Sequence, residues 1–213
     1  GYLFPETYFF PEDEDPEFIV KAMASDSFEG YLFPETYFFP EDEDPEFIVK
    51  AMASEFRGTL LPYLKERIIE MGITELEVVT LASIIEGEAI YDAERATISG
   101  VYHNRIIKGM KLQADPTIQY IIEDSPRRLL NVDLKIESPY NTYLNLGLPP
   151  GPINSPGKAS IIAALYPEQN AYLYFVARGD GYHTFSRTEK EHNRAKRKFQ
   201  QVRRQAKNSK RGK

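Results

Sequence analysis

The apolar positions of this chain fall into helical periods along most of its length. Asp44–Phe56 sets Phe47, Ile48, Ala51 and Met52 on one side, with Asp44 as cap and Pro45 in the first turn. A second helix is predicted from Leu60 to Met71, stopping at Gly72. Thr74–Glu77 reads T-x-x-E, a capping box, and the helix it opens carries the densest apolar run, Leu81, Ala82, Ile84 and Ile85. That helix is apolar over more than half its circumference, as expected in the middle of a core. It ends in Glu86-Gly87-Glu88. Asp92–Lys108 is amphipathic through Ile98, Val101, Tyr102 and Ile106, with Gly109 as its stop. Leu112 and Gln113 then sit in a loop, and Asp115-Pro116 starts a short helix over Thr117–Ile122.

From Ser138 to Gly157 prolines and glycines prevent a long regular element. Tyr140, Tyr143, Leu146 and Leu148 nevertheless make this stretch too apolar for a linker, so it must pack on the body of the domain. Asn141 and Asn154 are its hydrogen-bonding handles. A helix over Pro156–Tyr166, capped by Ser155, comes next. Ala171–Arg178 and Tyr182–Ser186 flank Gly179-Asp180-Gly181 as a β-hairpin, and a charged helix runs from Thr188 to about Ala206. The predicted class is α+β, mostly helical, with a small late β-hairpin.

An exact repeat interrupts this picture. GYLFPETYFFPEDEDPEFIVKAMAS occupies Gly1–Ser25 and recurs unchanged over Gly30–Ser54. Natural repeats drift, and solenoids need about three units. Residues 1–29 therefore read as an introduced duplication, or as a segment swapped onto a neighbouring molecule in an oligomer. The domain proper is expected over residues 30–193, with a basic tail over 194–213.

Composition narrows the chemistry. Cysteine is absent, which excludes disulfides, thiolate metal sites and a cysteine nucleophile. The three histidines, His103, His183 and His192, fall at no metal-ligand spacing, so neither metal nor cofactor is expected. Neither a GxSxG elbow nor a phosphate loop is present. No apolar run approaches about 18 residues, so a soluble piece is expected, with any membrane anchor lying upstream. The net charge of -6 joins an acidic first third to the basic stretch from Arg194 to Lys213. That stretch reads as a solvated terminus rather than a nucleic-acid site.

Glu86, Glu88 and Asp115 are the candidate acids. Residues two apart on a helix point roughly 200° away from each other, so Glu86 and Glu88 cannot both face one cleft. Glu86, closing the buried run, is the expected general acid, its pKa raised by burial, with Glu88 in support. The structural alternative is a helix that simply surfaces at Glu86. His183 on the hairpin is either a substrate ligand or a structural hydrogen-bonder. Tyr140, Tyr143 and the aromatic YLFPETYFF segment suit stacking on sugar faces and equally suit core packing.

Five blocks occur in order: EGYLFPETY, LASIIEGEA, ERATISGVYHNRIIKGMKLQADPTIQY, SPYNTYLNLGLPPGPINSPG and YLYFVARGDGYHTFSRTEKEHN. Together, from Glu29 to about Asn193, they resemble the endolytic murein transglycosylases of the MltG (YceG-like) family. The resemblance implies that the LASI-x-E glutamate, here Glu86, is catalytic. It implies that Gln113, Asp115, Thr117, Tyr140, Asn141 and Thr142 line a glycan cleft. It implies cleavage of the MurNAc-β-1,4-GlcNAc bond of nascent strands with 1,6-anhydroMurNAc ends, using one acid/base carboxyl where typical hydrolases use two. The implied partners are peptidoglycan strands and peptidoglycan synthases, with no nucleic acid. The implied place is the extracytoplasmic face of the bacterial membrane, reached through an N-terminal anchor outside this chain. The family's anchor and LysM-like subdomain precede the first block, and the duplicated Gly1–Ser25 departs from the family pattern. Two other readings stay open: a water-using muramidase with Asp115 as base, and a non-catalytic glycan-binding or scaffold domain.

Overall fold

A computed structural model describes residues 29–40, 43–59 and 62–211. The first repeat, with the swap or artificial origin expected for it, lies outside the described residues. Among the described residues, seven α-helices precede and follow one two-stranded sheet. They are α1 (Pro45–Thr59), α2 (Pro62–Met71), α3 (Glu75–Glu88), α4 (Asp92–Ile107), α5 (Asp115–Ile121), α6 (Lys158–Leu165) and α7 (Glu189–Arg211). The strands β1 (Tyr174–Ala177) and β2 (His183–Ser186) lie between α6 and α7, and a short 3-10 turn covers Asp133–Lys135. The α+β class expected from the sequence is the one observed.

α3 is the axis of the core. Its capping box closes as predicted: Glu77 N–H donates to Thr74 Oγ1 at 3.2 Å, and the Glu77 carboxylate accepts from the Thr74 N–H at 2.7 Å. Every residue from Val78 to Ile85 is buried, so the helix is enclosed on all sides. Burying a side chain such as Ile84 or Ile85 stabilises the fold by roughly 1.5–3 kcal/mol. α6 packs along α3, with α4 and α5 against its other flanks. One buried cluster joins α3, α4 and α6 to Phe33, Phe56 and Leu64. A second, smaller cluster ties Leu32 to Ile48, Val49, Met52 and Ala53 of α1.

Several predicted positions shift. Phe47 and Ile106, assigned to apolar faces, are exposed; Val49 and Phe56 take the buried places on α1. Ser155 does not cap α6, which starts later, with Gly157 as its cap and no side-chain cap bond. The boundary expected after Asn193 falls inside α7, which packs on both strands.

The proline-rich loop is fastened to α3 as its apolar content required. Buried Ser83 accepts the Ile153 N–H at 3.0 Å through Oγ, and its carbonyl accepts from Asn154 Nδ2 at 2.7 Å. Asn141, fully buried, turns inward: Nδ2 donates to the Leu134 and Ile136 carbonyls, and Oδ1 accepts from the Tyr143 N–H. In the hairpin Tyr174 faces Ser186 and Ala177 faces His183. Gly179 and Gly181 both take positive φ in the turn, which glycine adopts without strain.

Candidate functional site

The last turn of α3, the loop before α5, the hairpin and α7 enclose a cleft of about 420 Å³. Glu88, Gln113, Asp115, Tyr143, His183 and Lys196 line it, with Arg105 at its base. Glu86 is not among its lining residues. The two glutamates do point apart, as helix geometry requires, and Glu88 is the one facing the cleft.

Gly87 makes that arrangement possible. A Cβ on Gly87 would lie 2.7 Å from Pro116 Cβ, so the end of α3 touches the start of α5 through a bare backbone. This contact brings Glu88 against Asp115. Tyr102 Oη donates to Glu88 Oε1 at 3.0 Å from the buried side. Burial, and then the neighbouring Asp115 carboxylate, push the Glu88 carboxyl up to about 8; the bonds from Tyr102 and the Asp115 N–H and the Arg105 charge oppose this only in part. Glu88 therefore carries its proton at neutral pH, the state of a general acid. Beside Glu88 in the same lining, Tyr143 Oη donates to Asp115 Oδ1 at 2.5 Å.

Glu86 occupies a different setting. Its Oε2 meets Arg95 Nη1 at 3.2 Å and accepts the Gly157 N–H, also at 3.2 Å. It thus ties the end of α3 to α4 and places a negative group at the opening of α6. That is the post expected of Ser155. Arg95 in turn bonds Asp92 and Ser160. These partners are polar, where the sequence suggested only the end of a buried apolar run.

Arg105, buried, organises the cleft floor. It donates to the Lys111, Leu112 and Leu173 carbonyls at 2.7–2.9 Å and to Gln113 Oε1 at 3.3 Å. Gln113 holds φ +52, left-handed and costly for a residue with a side chain. Its N–H donates to the Thr142 carbonyl, and with the Arg105 bond this keeps the loop in place. Thr142 and Thr117, expected to line the cleft, are buried instead. Their hydroxyls meet at 2.9 Å, and Thr142 Oγ1 accepts the Ala114 N–H. They and Asn141 brace the loop from below. Tyr140 packs its ring on Tyr120, centroids 4.7 Å apart, away from the cleft.

His183 does reach the cleft. Its backbone N–H and ring Nδ1 both engage the buried Glu94 carboxylate, at 3.0 and 2.8 Å. This fixes Nδ1–H toward Glu94 and leaves Nε2 as the atom free for a ligand. The sequence reading missed Arg105, Glu94, Tyr143's partnership with Asp115, and His192. Only Tyr143 had a signal, its place beside Asn141 in the tyrosine-rich loop. No group of three or more histidine or acidic side chains placed to hold a metal occurs among the described residues.

Comparison with known proteins adds an independent observation. The YceG-like family model matches residues 24–198. An endolytic murein transglycosylase of Bacillus subtilis (strain 168) is 45% identical over 200 residues, 93% of this chain and 47% of that protein. One from Streptococcus pneumoniae serotype 2 (strain D39 / NCTC 7466) is 33% identical over 182 residues, 83% of this chain and 28% of that protein. The chain thus spans less than half the length of these relatives. A crystal structure of a yceG-like protein from Listeria monocytogenes superposes with a TM-score of 0.74 at 37% identity, covering 84% of this chain and 64% of that one.

Proposed function

The chain belongs to the YceG-like family, and on that premise we propose that its cleft cleaves peptidoglycan as an endolytic lytic transglycosylase, with Glu88 as the single acid/base. The observation that carries this reading is a carboxyl lining an open cleft yet held protonated to about pH 8. Glu88 donates its proton to the oxygen leaving C1 of the muramyl residue as the β-1,4 bond to N-acetylglucosamine breaks. The resulting carboxylate takes the proton of the muramyl C6 hydroxyl, whose oxygen closes onto C1 as a 1,6-anhydro ring. The proton count returns to its start without water, so one carboxyl suffices.

The other cleft groups fit supporting roles. Gln113 and Tyr143 are polar groups held in place, suited to orienting acetamido groups or the oxocarbenium-like state. Asp115, paired with Tyr143, adds negative charge near that state and, after burial, is the second influence that holds the proton on Glu88. Glu86, chosen from the LASI-x-E block, serves in this reading as the clamp between α3, α4 and α6. The substrate places the site on the extracytoplasmic side of the bacterial membrane.

Glycan digestion with product masses tests the whole reading. Anhydro ends are expected from the parent, one water lighter than reducing ends. Glu88→Gln is expected to abolish cleavage while retaining glycan binding, and Glu86→Gln to retain turnover with a loss of stability. The opposite pattern returns the catalytic role to Glu86. Reducing ends would instead indicate a water-using muramidase with Asp115 as base, and binding without product a scaffold domain.

A further inference from the structure

A second groove, about 640 Å³, lies on the far side of α7 between that helix and the hairpin. The two hollows are neighbours, and Ala177 and Phe199 line both. α7 is the wall between them. His192, Lys196 and Phe199 face the catalytic cleft, whereas Glu191, Arg194 and Lys198 face the groove, as a 3.6-residue period allows. Charge in the groove is unbalanced. Arg178 is paired with Asp180 at 2.8 Å, and the Glu191 carboxylate is occupied by the Arg187 and Thr188 N–H groups at the helix start. Arg194 and Lys198 have no such acidic partner among the described residues and sit four apart on one face. A forked guanidinium beside an ammonium suits a carboxylate.

We propose that this groove is a subsite for the stem peptides of the glycan, with Arg194 and Lys198 receiving their carboxylates. The assignment rests on the transglycosylase reading of the neighbouring cleft. A strand cut within its length must run past the cleft, and each muramyl residue carries a peptide bearing carboxylates. The groove borders the cleft at Ala177 and Phe199, within reach of a peptide carried by a strand in the cleft. It thus makes the substrate a peptide-bearing strand rather than bare glycan, and the cationic stretch expected to be a solvated tail becomes part of the binding surface.

The test compares binding of intact peptide-bearing strands with the same strands stripped by an amidase, in the Glu88→Gln background. Peptide-bearing strands are expected to bind about tenfold tighter at low salt, and the preference to fade as salt is raised. Arg194→Ala with Lys198→Ala should erase the preference, whereas Lys190→Ala, on α7 but outside the groove, should keep it. Equal binding of both strands by Glu88→Gln with Arg194 and Lys198 intact overturns the proposal, as does a preference that survives the double substitution. A parent that cleaves neither strand yet keeps the preference removes the transglycosylase reading and leaves the groove assignment standing.

Discussion

At the scale of single residues the site turns on which of two glutamates meets the cleft. The ordinary glutamate value of 4.5 is raised to about 8 at Glu88. Between those two pH values the folded chain holds a proton that the unfolded chain has released. The stabilisation by the neutral carboxyl is complete below about pH 4.5 and is lost as pH rises through about 8. Urea midpoints at pH 5 and pH 9 should therefore fall in the parent but change less in Glu88→Gln, with a difference on the order of a few kcal/mol. Parallel profiles would mean that Glu88 titrates normally. Cleavage should decline over the same alkaline limb, because the donor proton disappears. A second prediction concerns His183. Glu94→Gln removes the charge that fixes Nδ1–H, so the imidazole should lose its single tautomer by nitrogen NMR and glycan should bind more weakly. An unchanged tautomer would show that the hairpin alone orients the ring. The sequence shows that Glu86 and Glu88 diverge, since their spacing dictates it. It cannot show which side the cleft occupies, because Pro116 and the hairpin set that side.

Helices and loops are legible to the extent that their signals are local. The α3 capping box, the stop at Gly72 with φ +66 and the stop at Gly109 with φ +62 are written within a few residues of the features they cause. The α6 cap is different. Its donor finds an acceptor 71 residues away in Glu86, and no reading of Ser155 in its own neighbourhood reveals that. Gly87 belongs here too, since its role is a close contact rather than an unusual backbone angle. Gly87→Ala should force α3 and α5 apart, costing about 1–3 kcal/mol. Cleavage should fall more than stability predicts, because Glu88 and Asp115 separate. Loss of activity only in proportion to unfolding would dismiss this coupling. Ser83→Ala tests the loop anchor. It strands the buried Ile153 N–H and should cost about 1–3 kcal/mol by chemical denaturation.

Across the whole molecule the cleft is assembled from segments far apart in the chain, which is why its members were only partly foreseen. Glu94 and His183 are 89 residues apart, Asp115 and Tyr143 28. Each pair depends on how α4 meets the hairpin and how the proline-rich loop folds over α5. The core has a comparable division. Leu32 and α1 form their own cluster, joined to the central one through Phe33 and Phe56. The Phe33 N–H donates to the Met52 carbonyl at 3.3 Å, and Tyr31 meets the Phe56 ring edge-on at 5.0 Å. α1 with the segment before it is thus a unit packed on the body of the domain through Tyr31, Phe33 and Phe56, with Gly30 against Pro152 and Glu29 accepting from the Tyr120 hydroxyl. Phe56→Ala should cost about 3–5 kcal/mol, and the loss should be uneven. Amide exchange over Ile48–Phe56 should accelerate well before exchange in α3, which keeps its packing against α4, α5 and α6. Equal acceleration in both helices would mean that the two clusters melt as one, and that the N-terminal segment is integral to the body rather than docked upon it.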